Sequence, residues 1–213
     1  MNIIVLDTET TGLSRSTDRI VEIGCIELNN FEYTGRKLHL YINPEQEMGE
    51  EVQKIHGITN QFLKDKPVFK DVYEQFLDFV KDSTIVAHNA KFDMGFLNAE
   101  LSRQKQENLS NKVVDTLAVA RKMFPGSPAN LNALAKRFNI SLHERTLHGA
   151  LIDAKILSKV YVSLYAPKQQ SLFVEEKKIK TVSGKIERSE SKLTVSEEEM
   201  DAHNSIMDQL RQK

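Results

Sequence analysis

The chain has 213 residues, 40% of them apolar, and a formal net charge of −1, which favours one globular domain with an appendage over two full domains. Near-neutrality excludes a global positive field that would draw in a polyanion, so a nucleic-acid partner must be attracted locally or through bound metal. A single cysteine, Cys25, excludes an internal disulfide; no apolar run reaches ~18 residues and no basic leader precedes the first apolar run, so the expectation is a cytoplasmic protein with no membrane partner.

In chain order, residues 3–6 (Ile-Ile-Val-Leu) form a continuous β-rich run, as in a strand buried on both faces. Residues 20–28 and 37–42 predict a second and a third strand, with Asn29 and Asn30 as the turn, and Cys25 reads as a small core residue of the second. The spacing of Val72, Phe76, Phe79 and Val80 predicts a helix over 68–80. A short buried strand at 84–87, a helix over 90–103 and a short strand at 113–114 follow, then helices near 116–123, 130–138 and 149–164. Hairpin first, then alternating strand and helix, is the pattern of an α/β fold with a mixed sheet flanked by helices. Beyond Tyr165 the composition changes. Residues 175–195 read as a flexible, solvated linker unable to bury enough surface to order itself. At 196–199, Ser-Glu-Glu-Glu is a capping box, and Met200, His203, Met207 and Leu210, with Ile206 alongside, recur at helical spacing. The segment 196–213 is therefore an amphipathic helix with no domain of its own to cover its apolar face.

The residues that draw attention are acids in apolar settings. Asp7 ends the first apolar run, and Asp7 and Glu9 share a face if the strand continues. The carboxyl end of a central strand is where open α/β sheets bind ligands, although two solvated acids at a strand end would look the same. Asp153 falls on the apolar stripe Ile156, Leu157, Val160 and Leu164. A carboxylate there is costly unless it is paired or holds a metal; an ion pair or a helix cap is the alternative. Asp93 stands in the same relation to Phe96, Leu97 and Leu101, although aspartate is also favoured in a first helical turn. Asp115 reads as structural, bonding nearby backbone. Four converging carboxylates would raise one another's pKa values, and two divalent cations would cancel their charge. Hard oxygen ligands suit Mg2+ or Mn2+. Histidine titrates near neutrality and serves as a base; His148, five residues before Asp153 at the start of the same helix, is placed for that role.

The strings VLDTETTGL (5–13), AHNAKFDMGFL (87–97), VVDTLAVARKMFP (113–125) and TLHGALIDAKIL (146–157) resemble the DEDD-type 3′→5′ exonucleases that carry a catalytic histidine. The likeness spans residues 1 to about 166 in the right order. It implies an RNase H-like fold with a mixed five-stranded sheet. It further implies that Asp7 bridges two metals, that Glu9 and Asp153 complete one site and Asp93 the second, that His148 activates the water, and that nucleoside 5′-monophosphates are released. Within that family, residues matching Thr10, Thr11, Leu13, Glu51 and His56 line the terminal-nucleotide pocket, with His88 near the strand.

A narrower likeness, carried by VARKMFP, RTLHGAL and the order of the tail segments, is to the family of proofreading epsilon subunits of bacterial DNA polymerase III. It implies an exonuclease domain at 1–166, a sliding-clamp peptide at 167–174 (contacts Gln169, Ser171, Leu172 and Phe173) and the linker at 175–195. It also implies a helix at 196–213 that docks on the polymerase alpha subunit through Met200, His203, Ile206, Met207 and Leu210. The expected partners are that subunit, the beta clamp and a frayed or single-stranded 3′ end of DNA; a small stabilising subunit is left open. Two other readings stand beside this one: a standalone exonuclease trimming RNA or single-stranded DNA, and a bridging module between clamp and polymerase.

Overall fold

The computed structural model describes residues 2–143, 145 and 147–165. The clamp peptide 167–174, the linker 175–195 and the helix 196–213, with every contact residue expected in them, lie outside the described residues. Five strands, β1 (Asn2–Thr10), β2 (Ile20–Asn29), β3 (Glu32–Tyr41), β4 (Thr84–Ala87) and β5 (Val113–Asp115), form one sheet in the order β3-β2-β1-β4-β5. The β1–β2–β3 meander is antiparallel, whereas β4 runs parallel to β1 and β5 parallel to β4. The helices are α1 (Glu50–His56), α2 (Asn60–Leu63), α3 (Phe69–Val80), α4 (Ala90–Arg103), α5 (Thr116–Met123), α6 (Leu131–Arg137) and α7 (Ala150–Tyr165).

The continuous apolar run at the start of β1 has the expected cause: the strand is central, and side-chain alternation sends successive residues into different cores. Ile4 and Leu6 pack with Phe69, Val72 and Phe76 of α3 and with Phe96 and Leu97 of α4. Ile3 and Val5 pack on the other face with Leu134 of α6 and Ala154, Leu157 and Val160 of α7. Cys25 is fully buried in the first of these cores. Among the described residues no helix is long and apolar enough to cross a membrane.

Several boundaries differ from the sequence expectation, each for a physical reason. β1 runs on to Thr10, and β3 begins at Glu32 rather than at 37, because its first six residues are exposed and carry no apolar alternation. The β2–β3 turn falls on Asn30 and Phe31, both at positive φ (49° and 69°), one step beyond Asn29. Helices α1 and α2 have only seven and four residues, too short to establish a period. His148 lies in the loop two residues ahead of α7, not on the helix itself.

Gly24 sets how closely α7 approaches the sheet. It stands opposite Asp7 in the β1–β2 ladder, and a Cβ there would lie 2.2 Å from the backbone nitrogen of Leu151 and 2.3 Å from the carbonyl carbon of Ala150. Backbone cannot swing aside as a side chain can. Gly24→Ala is therefore expected to push the start of α7 off the sheet, lowering stability by about 1–3 kcal/mol and separating the residues on α7 from those on β1. Thermal unfolding together with nuclease assay checks this; an unchanged Tm and full activity would contradict the close-approach argument.

Candidate active site

The ends of β1 and β4 and the starts of α4, α6 and α7 enclose a cleft of about 440 Å3, lined by Asp7, Glu9, His88, Asp93, His148 and Asp153 among others. Asp7 and Glu9 are half-buried on one face of β1, with the buried Thr8 between them facing the other way. A register shift at Glu9 and Thr10 ends the regular β1–β2 pairing beside them. Such bulges commonly re-aim side chains next to functional sites. Thr8 reaches α4 instead: its backbone N–H and its hydroxyl both donate to Asp93 Oδ1, at 3.1 and 2.8 Å. Asp93 is 3% exposed and Asp153 4%, so both acids that interrupt apolar stripes are buried. Asp115 is structural, as expected. Its Oδ1 accepts from the backbone of Asn89 at 3.0 Å and of Leu117 at 2.9 Å, tying the starts of α4 and α5 together.

Ligand atoms of Glu9, His148 and Asp153 all lie within 4.8 Å of one another, with His148 Nδ1 3.5 Å from Asp153 Oδ2. Burial pushes the Asp7 carboxyl well above the usual carboxylate range, and the charges of Asp93, Glu9, Asp153 and Glu22 push it further. Burial, then Glu22 and Asp153, raises Glu9 to about 8. Asp93 is raised by burial against the lowering effect of its Thr8 bonds. Hard oxygen donors crowded in this way fit divalent cations that would remove the repulsion.

Three participants lie outside the residues singled out from the sequence. Glu22 sits opposite Glu9 on β2 and is 3% exposed. Its Oε2 accepts the backbone N–H of Ala150 at 3.0 Å, the first residue of α7, and its Oε1 lies 2.6 Å from Nε2 of His39. It thus ties the helix that bears Asp153 to the sheet that bears Glu9. An acid inside the apolar run 20–28 was its visible signal, the same kind that marked Asp153. Arg145 and Asn132 come from loop and helix start: Arg145 bonds both oxygens of Asp153 and also Asn132 Oδ1.

The remaining expected contacts divide. His88 lines the cleft and shares a hydrogen bond of 2.9 Å with the Thr116 hydroxyl. His56 is buried and accepts the Ile58 N–H at Nδ1, 3.0 Å away. The Nε2 atoms of these two histidines are the buried side-chain polar atoms without a well-formed hydrogen bond among the described residues, although the Ala129 backbone lies close enough to favour protonation of His88. Leu13 is 87% exposed and borders an adjoining cleft of about 490 Å3 with Arg15 and Lys91, which shares Asn89 and Phe92 with the first. Thr10 and Thr11 are buried and bond within the turn: the Thr10 hydroxyl donates to the Gly12 carbonyl at 2.6 Å, and the Thr11 hydroxyl accepts from Arg19 N–H at 3.0 Å. Glu51 is exposed on α1 and is absent from the lining of either cleft.

With this geometry in place, the comparisons with known proteins are specific. The exonuclease family (RNase T) matches residues 4–161. The DNA polymerase III subunit epsilon of Rickettsia felis is 44% identical over 216 residues, 96% of this chain and 94% of that protein. That of Escherichia coli K12 is 40% identical over 227 residues, 99% of this chain and 93% of that protein. Among solved structures, exonuclease X in complex with 5′ overhanging duplex DNA superposes with a TM-score of 0.61 at 25% identity, covering 76% of this chain and 90% of that one. The five-stranded mixed sheet with its helices is thus the RNase H-like arrangement of these exonucleases.

Proposed function

The chain belongs to the exonuclease family and, within it, to the epsilon subunits of DNA polymerase III, a 3′→5′ exonuclease whose family implies dependence on divalent metal; from that premise we propose that it removes mispaired 3′-terminal nucleotides from DNA under extension by that polymerase in the cytoplasm. The observation that carries the chemistry is the convergence of Asp7, Glu9, Asp93 and Asp153, drawn from β1, α4 and α7, on one cleft together with His148. In this reading Asp7, Glu9 and Asp153 would hold one divalent ion, and Asp7 with Asp93 a second, Mg2+ or Mn2+ in each case. When bound, such a pair neutralises the acids and stabilises both the attacking and the leaving oxygen of a phosphodiester. Nδ1 of His148, the nitrogen facing Asp153, accepts the proton of the attacking water, and a nucleoside 5′-monophosphate leaves. The Thr8 bonds to Oδ1 fix the Asp93 carboxylate at the cleft, where it would hold an ion. Thr10, Thr11, Leu13, Glu51, His56 and His88 are proposed to receive the terminal nucleotide; the exposed Leu13 and the cleft it borders with Arg15 and Lys91 offer the strand an approach with positive charge.

Selectivity for errors needs no reading of sequence, because a mispaired end is cheaper to unstack than a paired one. With a net charge of −1 the nuclease has little field of its own to capture DNA, and tethering supplies the local concentration. Residues 167–174 are proposed to engage the sliding clamp and 196–213 the polymerase alpha subunit. The test is excision of a single 3′ mismatch from a primed template by the whole chain and by a chain ending at residue 166. Polymerase and clamp should accelerate only the whole chain, and both chains should degrade free single-stranded DNA. Equal acceleration of both overturns the tethering, and preference for matched ends or for RNA overturns the proofreading assignment.

A further inference from the structure

The cleft that gathers the acids also holds a cation of the protein's own. Arg145 is the only lysine or arginine among the described residues lining it, and its side chain is 9% exposed. Its guanidinium donates from Nε to Asp153 Oδ1 at 2.5 Å and from Nη2 to Asp153 Oδ2 at 2.6 Å. Nη2 also lies 3.0 Å from Nδ1 of His148, and Nη1 donates to Asn132 Oδ1. Asp7 and Glu9 attract the same charge. Both oxygens of Asp153 are therefore engaged by one rigid fork, the strongest arrangement open to an arginine and a carboxylate.

Two consequences follow from elementary chemistry. A divalent ion bound to Asp153 would stand beside a guanidinium that already touches both carboxylate oxygens, and two cations at that range repel strongly where solvent is scarce. Guanidinium also has no acceptor, so the contact to His148 makes Nδ1 the acceptor and leaves the imidazole proton on Nε2. In that state the nitrogen facing Asp153 is occupied and cannot take a proton from water.

We propose that Arg145 and a divalent ion are mutually exclusive occupants of Asp153, so that loading the ion displaces the guanidinium and in the same movement frees Nδ1 of His148. Arg145 is thus a positioning residue that couples metal loading to readiness of the base. This rests on the metal-binding reading of the same acids, and the experiment separates the two. Mn2+ binding is titrated calorimetrically in the wild-type chain, Asp153→Asn, Arg145→Gln and Arg145→Lys, and the His148 ring nitrogens are followed by NMR during a Mg2+ titration of the wild type. Arg145→Gln should tighten the Asp153-dependent binding at least ~10-fold, about 1.4 kcal/mol. Arg145→Lys, which keeps the charge but lacks the fork, should fall between. The Nδ1 signal of wild-type His148 should shift as its hydrogen bond is released, and this readout needs no substitution. Equal or weaker Mn2+ binding in Arg145→Gln, or a His148 signal indifferent to Mg2+, overturns the exclusion. If neither the wild-type chain nor Arg145→Gln binds Mn2+, the metal reading itself is overturned.

Discussion

Asp7→Asn and Asp153→Asn should each reduce exonuclease activity by roughly 10³-fold or more, about 4 kcal/mol of transition-state stabilisation, while moving stability in opposite directions. Both substitutions keep shape and remove charge, so a loss of activity would follow from losing a proposed metal ligand. Stability differs because the two acids have different neighbours. Asp7 is crowded by Asp93, Glu9, Asp153 and Glu22, and its charge is unfavourable in the fold without metal. Its neutral amide should raise the Tm measured with a chelator present, the exchange of stability for function expected where an active site is strained. Asp153 instead neutralises Arg145 through both oxygens. Removing its charge takes from a nearly buried guanidinium the carboxylate that pairs with it through both oxygens and leaves it only the attraction of Asp7 and Glu9, which is destabilising, so its Tm should fall. Degradation of single-stranded DNA at saturating Mg2+, read beside thermal unfolding in chelator, decides both halves. Retained activity in either variant would sink the ligand assignment, and parallel Tm shifts would sink the electrostatic one.

The contrast between these acids also explains which parts of the site could be seen in the sequence. Asp93 and Asp153 were visible because each interrupts a helical apolar stripe, and the structure buries both. Asp7 and Glu9 were visible as a same-face pair at the end of an apolar run, and β1 does continue far enough to place them so. Glu22 carries the same signal within a strand, yet β2 is buried on both faces along nearly its whole length, so alternation could not say which side an acid would face. Arg145 is beyond any local pattern. Its partners lie on α6 and α7 and in the intervening loop, and only the folded chain brings Asn132, His148 and Asp153 within reach of one guanidinium. Gly24 is similar: its role depends on the backbone of Ala150 and Leu151, far along the chain. Periodicity reports which face is apolar, and it is silent on which distant polar group will meet an acid there.

The same carboxylates predict an unusual pH response. Most folded proteins have acids whose pKa values are lowered, so they gain stability as pH rises through the acid range. Here Glu9 is raised to about 8, and Asp7 and Asp93 are raised as well. A raised acid binds more protons folded than unfolded. Its contribution is fully present below the unfolded carboxylate pKa and is lost as pH climbs through the folded value. Burial lowers His56 and His88, and those two groups act in the opposite sense, costing stability as pH falls below their ordinary value near ~6.5. The acids therefore dominate between about pH 6.5 and 8.5, and in chelator the Tm should decline across that window. Glu9 is partly exposed and screened by solvent, so the loss should be on the order of 1–3 kcal/mol, or roughly 2–10 °C for a domain of this size. On the proposed metal reading, Mg2+ would bind these acids deprotonated, so its stabilising effect should be larger at pH 8.5 than at 6.5 and should flatten the decline. Glu9→Gln should remove much of the slope without metal. A Tm that rises from pH 6.5 to 8.5 in chelator would show that the acids are held charged by partners inside the fold, and Arg145 would then outweigh the repulsion among them.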